Sequence, residues 1–182
     1  LLGLKPKDFD ITTSALPKIT EDLFSKTIPT GIKHGTVTVV IDKENFEVTT
    51  YRTEGNYIDN RHPEKVEFVS DIKEDLSRRD FTINAFAYND KEGLVDYFNG
   101  IDDLQNKVIR AVGDPHKRFN EDALRMLRAI RFSAQLGFTI DTKTYNAIKD
   151  NVQFIKNISS ERIRDELCKI LLSDNPSQGI KM

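Results

Sequence analysis

The stretch "TVTVVIDKENFEVTTYR", Thr36 to Arg52, reads as a β-hairpin. Val37, Val39 and Ile41 alternate with polar residues, and Phe46, Val48 and Thr50 do the same after the polar run "DKEN". Such period-two alternation on both sides of a turn marks two paired strands, each burying one face. Working outward, "VEFVS" from Val66 is a further short strand. Ahead of the hairpin, Leu16, Ile19 and Leu23 fit one face of a helix that starts near Thr13 or Ser14. From Asp114 the pattern changes to helix. "DPHKRFNEDALRMLRAIRFSAQLG" opens on Asp-Pro and ends at Gly137, which predicts one long helix. Tyr145, Ile148 and Val152 mark a second helix, and Ile163, Leu167, Ile170 and Leu171 a third. The expected fold is α+β: a mixed sheet-and-helix domain over residues 1–112, then an all-helical one over 113–182.

Of the 182 residues, 38% are hydrophobic and 31% charged, as in a globular protein. No apolar run approaches the roughly 20 residues of a membrane helix, and no signal-peptide pattern is present. Cys168 is the single cysteine, so no internal disulfide forms and a reducing cytoplasm is expected. A net charge of −2 neither announces nor excludes a nucleic-acid partner. The chain begins without Met, as a piece of a longer protein would.

"KPKDFDITTSALP", Lys5 to Pro17, places Asp8 and Asp10 two apart in a strand-like run. On a strand they face one side, about 6.6–7 Å apart along it, with Phe9 turned the other way into the core. Two converging carboxylates are a hard-oxygen site suited to Mg²⁺. Catalysts that move phosphoryl groups often hold two such ions about 3.5–4 Å apart. Glu47, between apolar neighbours in "FEVT", is the candidate third carboxylate. The bland alternative, a solvated turn with aspartates at its corners, stays open for a bare Asp-x-Asp.

Two more stretches carry polar groups at spacings of interest. In "RRDFTINAFAYN", Arg78 to Asn89, Phe81, Ala85 and Tyr88 can share a helix face, leaving Arg79, Asp80 and Asn84 for polar work. A charged helix start would explain much of the same pattern. In "EDALRMLRAIRF", Asp122, Arg125, Arg128 and Arg131 step by three. On one helix each step turns about 60° backward, so Asp122 and Arg125 are neighbours and the arginines sweep about 120° of surface. The plain alternative is an i,i+3 ion pair on a wet helix. His34, His62 and Cys168 read as structural, with Cys168 a core thiol among Leu167, Ile170 and Leu171.

Taken in order, "LLGLKPKDFDITTSALP", "TGIKHGTVTV", "FEVTTYRTEG", "DLSRRDFTINA", "DYFNGIDDL" and "EDALRMLRAIRF" resemble the head and neck of the class II tRNA nucleotidyltransferases. These are the CCA-adding enzymes, with the bacterial poly(A) polymerases as close relatives. The resemblance covers nearly the whole chain. It implies a polymerase-β-like nucleotidyltransferase head followed by a helical neck. It also implies addition of CCA to the 3′ end of tRNA from CTP and ATP, with Mg²⁺ and release of pyrophosphate.

Residue by residue, Asp8 and Asp10 match the metal-binding pair and Arg79 a nucleotide-contacting arginine, with Asp80 and Asn84 beside it as further candidate nucleotide-binding residues. Asp122 and Arg125 match the pair that reads the incoming base, and Arg128 and Arg131 match arginines of the nucleotide site. Glu47 is an inference from the strand alone. The family carries a Gly-Gly segment and an Arg-Asp ahead of "LLG", and continues beyond "PSQGIKM" into a tRNA-holding body and tail. Both domains are therefore expected to be incomplete, the head at its N-terminus and the neck at its C-terminus. The loop "RTEGNYIDNRHPEKV", with Arg61 and Glu64, is the expected moving part between C and A addition. Poly(A) polymerase, a CC-only or A-only adder, and a non-catalytic nucleotide- or RNA-binding module remain as alternatives.

Overall fold

Asp42 and Lys43 both take positive φ, 49° and 70°. This is the backbone of a tight two-residue turn whose twist matches that of the strands it joins. It closes the hairpin of β3 (Thr36–Ile41) and β4 (Glu44–Thr50), whose register sets Val37 against Val48 and Val39 against Phe46. The computed structural model describes residues 1–3, 9–55 and 65–182. Asp8 and residues 56–64, His62 among them, lie outside the described residues.

The described chain forms two compact units. The first comprises 1–55 and 65–75. Its strands β1 (Asp10–Thr13), β2 (Thr27–Gly31), β3 and β4 make one sheet in the order β1-β4-β3-β2. β1 runs parallel to β4, and the other pairs are antiparallel. One face of the sheet is apolar: Val37, Val39 and Val48 are buried there, and α1 (Pro17–Leu23) packs against β3 and β4. The strands β5 (Arg52–Glu54) and β6 (Val66–Phe68) pair separately, antiparallel to each other. Gly35 has φ 83°, and a Cβ there would sit 2.8 Å from the Phe68 ring, so only glycine fits this approach. Helix α2 (Ile72–Ser77) begins in this unit, where buried Asp75 accepts from the Arg52 backbone N–H at 3.2 Å.

Two expectations fail in this unit. Leu16, Ile19 and Leu23 are exposed, whereas α1 turns Pro17 and Thr20 inward. Pro17 is the first helical residue, so Leu16 stands outside the helix, and Ile19 and Leu23 fall on the side away from Pro17 and Thr20. Phe9 is 65% exposed rather than buried. β1 starts at Asp10, so Phe9 precedes the ladder and escapes its inside–outside alternation.

The second unit runs from Leu76 to Met182. "RRDFTINAFAYN" is not a helix. Thr82–Asn84 make a single 3₁₀ turn, and Phe86–Asn89 form strand β7, paired with β8 (Gly93–Asp96). The hydroxyl of Thr82 donates to buried Asp103 at 2.7 Å, and Arg110 holds the same carboxylate at 3.1 Å. Asp96 accepts from the backbone N–H groups of Phe98, Gly100 and Ile101, which fixes the start of α3 (Gly100–Gln105). A Cβ on Gly100 would meet the Thr82 carbonyl at 2.2 Å, so "DYFNG" and "DFT" belong together because their backbones touch.

Strand β9 (Val108–Ile109) precedes α4 (Pro115–Glu121) and α5 (Leu124–Leu136). Both expected ends hold: the Asp114 carboxylate caps α4 through the His116 N–H, and Gly137 closes α5 with φ 66°. The single long helix does not. Asp122 is extended, with φ −141° and ψ 105°, and its carboxylate accepts from the Leu124 N–H at 3.0 Å. Such a side-chain bond competes with helix continuation and opens a new helix instead. The 60° stepping therefore holds for Arg125, Arg128 and Arg131 but not for Asp122.

β10 (Thr139–Ile140) pairs in parallel with β9, so the C-terminal region carries a two-residue strand among its helices. These are α6 (Thr142–Asn151), α7 (Ser160–Leu171) and α8 (Pro176–Lys181). Phe81, Ile109, Phe119, Met126, Ala129, Phe138 and Ala147 form the core they enclose. Cys168 is exposed. On α7 the inward positions are Glu166 and Ile170, and a residue two past Glu166 points well away from that line.

Candidate active site

In the first unit the sheet face opposite the valine core is polar. Cross-strand register sets Asp10 beside Glu47, and Glu47 beside Thr38. Neighbouring strands lie about 4.8 Å apart, so the Asp10 and Glu47 side chains rise side by side. Both are exposed and both line an open groove of about 740 Å³ with Thr30, Thr38, Glu44, Asn45, Ile28 and Phe9. Among the described residues no cation pairs with either carboxylate. The expected third carboxylate is thus brought next to one member of the expected pair, and Asp8, the other member, lies outside the described residues. No cluster of three metal-ligating side chains occurs among the described residues. Asp10 and Glu47 still fit a hard divalent cation in donor type, exposure and freedom from competing cations.

The second unit treats its charges in the opposite way. Asp80 is 9% exposed and its oxygens are committed: Arg128 reaches it at 2.6 Å, the Phe81 N–H at 2.9 Å and Asn84 at 3.2 Å. Arg79, half-buried, immediately precedes it. Asp122 and Arg125 do not pair with each other's side chains. The Asp122 carboxylate takes Arg162 of α7 at 2.8 Å, and the Arg125 guanidinium takes Glu121 at 2.8 Å and the Arg78 carbonyl at 3.1 Å. A backbone bond of 3.0 Å from the Arg125 N–H to the Asp122 carbonyl keeps the two adjacent. Arg131 is held by Glu166 at 2.6 Å, and its guanidinium lies 4.0 Å from the Phe132 ring centroid.

Arg162 was not expected from the sequence, since forty positions separate it from Asp122. Glu121 was closer to hand, because Glu to Arg at i,i+4 is a known helix pair. The break after Glu121 and the two arginines on it, Arg118 at 2.5 Å and Arg125, turn that pair into a junction between α4 and α5.

Residues 1–110 match the family model described as the poly A polymerase head domain. The chain belongs to that family. Residues 137–182 match a second model, the probable RNA and SrmB-binding site of polymerase A. The CCA-adding enzyme of Lactobacillus helveticus (strain DPC 4571) is 53% identical over 182 residues, which is all of this chain and 46% of that protein. The chain thus spans about half the length of the curated relatives it matches. Among solved structures, the Bacillus stearothermophilus CCA-adding enzyme in complex with CTP aligns with a TM-score of 0.88 at 43% identity, over 98% of this chain and 43% of that one. The Thermotoga maritima CCA-adding enzyme complexed with tRNA aligns with a TM-score of 0.78 at 31% identity, over 99% and 42%. The fold is therefore the polymerase-β-like head followed by a helical neck, in keeping with the poly A polymerase head family.

Proposed function

We propose that this chain is the nucleotidyl-transferring part of an enzyme that adds CCA to the 3′ end of tRNA from CTP and ATP. The observation that carries the reading is the Asp10–Glu47 register pair, two exposed carboxylates side by side on a groove. The 53% identity of the Lactobacillus helveticus CCA-adding enzyme across the whole chain supports it.

Asp8, Asp10 and Glu47 are the residues that would hold Mg²⁺. When bound, such ions lower the pKa of an attacking 3′-hydroxyl and neutralise charge on a triphosphate. The hydroxyl attacks the α-phosphorus in line and pyrophosphate leaves, with positioning and charge neutralisation supplying most of the rate. Arg79, Arg128 and Arg131 bring positive charge for the nucleotide, while Asp80 and Asn84 fix Arg128 and the turn around it.

Asp122 and Arg125 read the base. Cytosine and adenine each offer an amino donor beside a ring-nitrogen acceptor, and uracil and guanine offer the reverse. A carboxylate only accepts and a guanidinium only donates, so the couple suits C and A. Arg125 keeps its Nε–H and one Nη2–H for this task among the described contacts. An unmet polar group costs about 1–3 kcal/mol, enough to reject the wrong base.

The single cysteine and the tRNA substrate suit the cytoplasm. Among the described residues no helix is long and apolar enough to cross a membrane. The test is incubation of the full-length protein with a tRNA lacking its 3′ end, labelled CTP and then ATP. Ordered C, C, A addition supports the reading. The head-domain family is described by poly(A) polymerase, which keeps that activity as the second reading: long A-only tails on many RNAs would establish it and refute CCA addition.

A further inference from the structure

Next to Glu47 the groove carries a pair of hydroxyls that the reaction as outlined does not use. Thr38 on β3 is the cross-strand neighbour of Glu47, and its hydroxyl lies 2.9 Å from that of Thr30 on β2. Both residues line the groove that holds Asp10 and Glu47. Thr38 is 5% exposed, so its polar atom sits at the buried floor, whereas Thr30 is exposed at the wall. The row Asp10, Glu47, Thr38 runs straight across three strands of one face.

We propose that the Thr30–Thr38 hydroxyl pair reads the 2′-hydroxyl of the terminal ribose of an RNA whose 3′-hydroxyl lies at the Asp10–Glu47 carboxylates. The inference rests on the nucleotidyltransferase reading above and names the feature of the acceptor that this groove selects. Two hydroxyls share one hydrogen between them. The other hydrogen is left to donate outward, and lone pairs on both oxygens remain to accept. A 2′-hydroxyl both donates and accepts, and it is the group that separates RNA from DNA at a given site. In a ribose it sits on the carbon next to the 3′-hydroxyl. A reader of the one must therefore lie beside the groups that handle the other, as Thr38 lies beside Glu47. A groove of about 740 Å³ is large enough for a terminal nucleotide.

The experiment uses the full-length protein and two acceptors that differ only in the last sugar, ribose or 2′-deoxyribose, with CTP as donor. Wild type should favour the ribose end in kcat/KM by about tenfold, the worth of one well-made hydrogen bond left unmet in the analogue. Thr38→Val should lower addition to the ribose end and leave the deoxy end nearly unchanged, so the ratio falls toward one. Thr30→Val, at an exposed position, should do the same without disturbing the floor, and Thr38→Ser should keep the preference. Equal use of both acceptors by wild type overturns the proposal, as does an unchanged ratio in both valine variants. Absence of any addition to the ribose-ended acceptor by wild type would instead overturn the nucleotidyltransferase reading itself.

Discussion

The two units handle charge in opposite ways. On the first unit's sheet face, Asp10 and Glu47 stand exposed and side by side with no cation on them among the described residues. In the second unit the candidate carboxylates Asp80 and Asp122 each meet an arginine, as do Glu121 and Glu166. Like charges kept adjacent and unpaired cost stability, so a fold that keeps them leaves room for a positive charge from outside. Carboxylates clamped by arginines are spent on holding loops and helices in place. Their remaining acceptor sites are then fixed in direction, as the proposed reading of a base requires. Under the proposed function, the chemistry would fall to the first unit's sheet face and base selection to the α4–α5 junction of the second unit.

The largest expected effect breaks the comparison at its open side. Asp10→Ala should reduce nucleotide addition by about a thousandfold, the loss of several kcal/mol of charge stabilisation at the reacting phosphate. The thermal midpoint should hold or rise slightly in the absence of divalent cations, because the change removes repulsion with Glu47. Addition near the wild-type rate would remove the metal assignment. A marked fall in the midpoint would show that Asp10 supports the fold.

On the closed side the expectation reverses. Asp80→Ala leaves Arg128 without its buried partner and the Phe81 N–H and Asn84 amide without their acceptor. Leaving the buried Phe81 N–H without its acceptor costs about 1–3 kcal/mol, and Arg128, a third exposed, adds less than a fully buried partner would. Urea unfolding of the variant should show that loss in midpoint with the slope unchanged. A cost below about 1 kcal/mol, the scale of a surface ion pair, would mean that the Asp80 cluster does not organise the unit.

Arg162→Met is a smaller and sharper probe. It keeps the length of the side chain and removes the charge that holds the Asp122 carboxylate at 2.8 Å. Asp122 stays capped on the Leu124 N–H, so the break between α4 and α5 should survive. Freed of its arginine, the carboxylate loses orientation, and the preference for CTP over UTP should fall by about tenfold, the worth of one charge-assisted hydrogen bond. Unchanged base preference with slower addition would make Arg162 a brace for the neck alone.

What the sequence showed in advance follows from how local each cause is. The β3–β4 hairpin was legible because its two alternations and its turn lie within seventeen residues. The Asp114 cap and the Gly137 stop were legible for the same reason. Glu47 could be picked out as a strand carboxylate, but its position beside Asp10 depends on a parallel pairing of β1 with β4 across the intervening strands. The break at Asp122 was hidden, since "EDALRML" has ordinary helix propensity. It arises from one side chain that bonds the Leu124 N–H and an arginine forty positions away. The "RRDFTINA" segment misled because Phe81, Ala85 and Tyr88 fit a helical period, while the Thr82 hydroxyl and the backbone contact at Gly100 demand a turn. The stretch Arg52 to Val66 was expected to move between C and A addition; Arg52–Glu54 form β5 and Val66 begins β6, and residues 56–64 lie outside the described residues. Deleting 56–61 from the full-length enzyme remains the way to test them, with loss of the terminal A alone as the supporting outcome.

The smallest expected effect concerns Cys168, where the apolar neighbours Leu167, Ile170 and Leu171 suggested a core thiol. Helix α7 instead turns inward along Glu166 and Ile170, and the Glu166 carboxylate, 3% exposed, is neutralised there by Arg131 and Lys169. The helix therefore anchors on an ion pair as much as on its leucines, and Leu167 and Leu171 are left 40% and 53% exposed. Cys168→Ser exchanges one small exposed side chain for another and touches neither anchor. Stability should stay within about 0.5 kcal/mol and addition should be unchanged. The native thiol should react fully with a soluble thiol reagent in the folded state, without denaturant. A thiol protected until unfolding, or a serine variant that loses more than about 1 kcal/mol, would return Cys168 to the core. It would also mean that α7 is rotated about its axis, and with it the Arg131–Glu166 anchor that distinguishes the second unit from the open sheet face of the first.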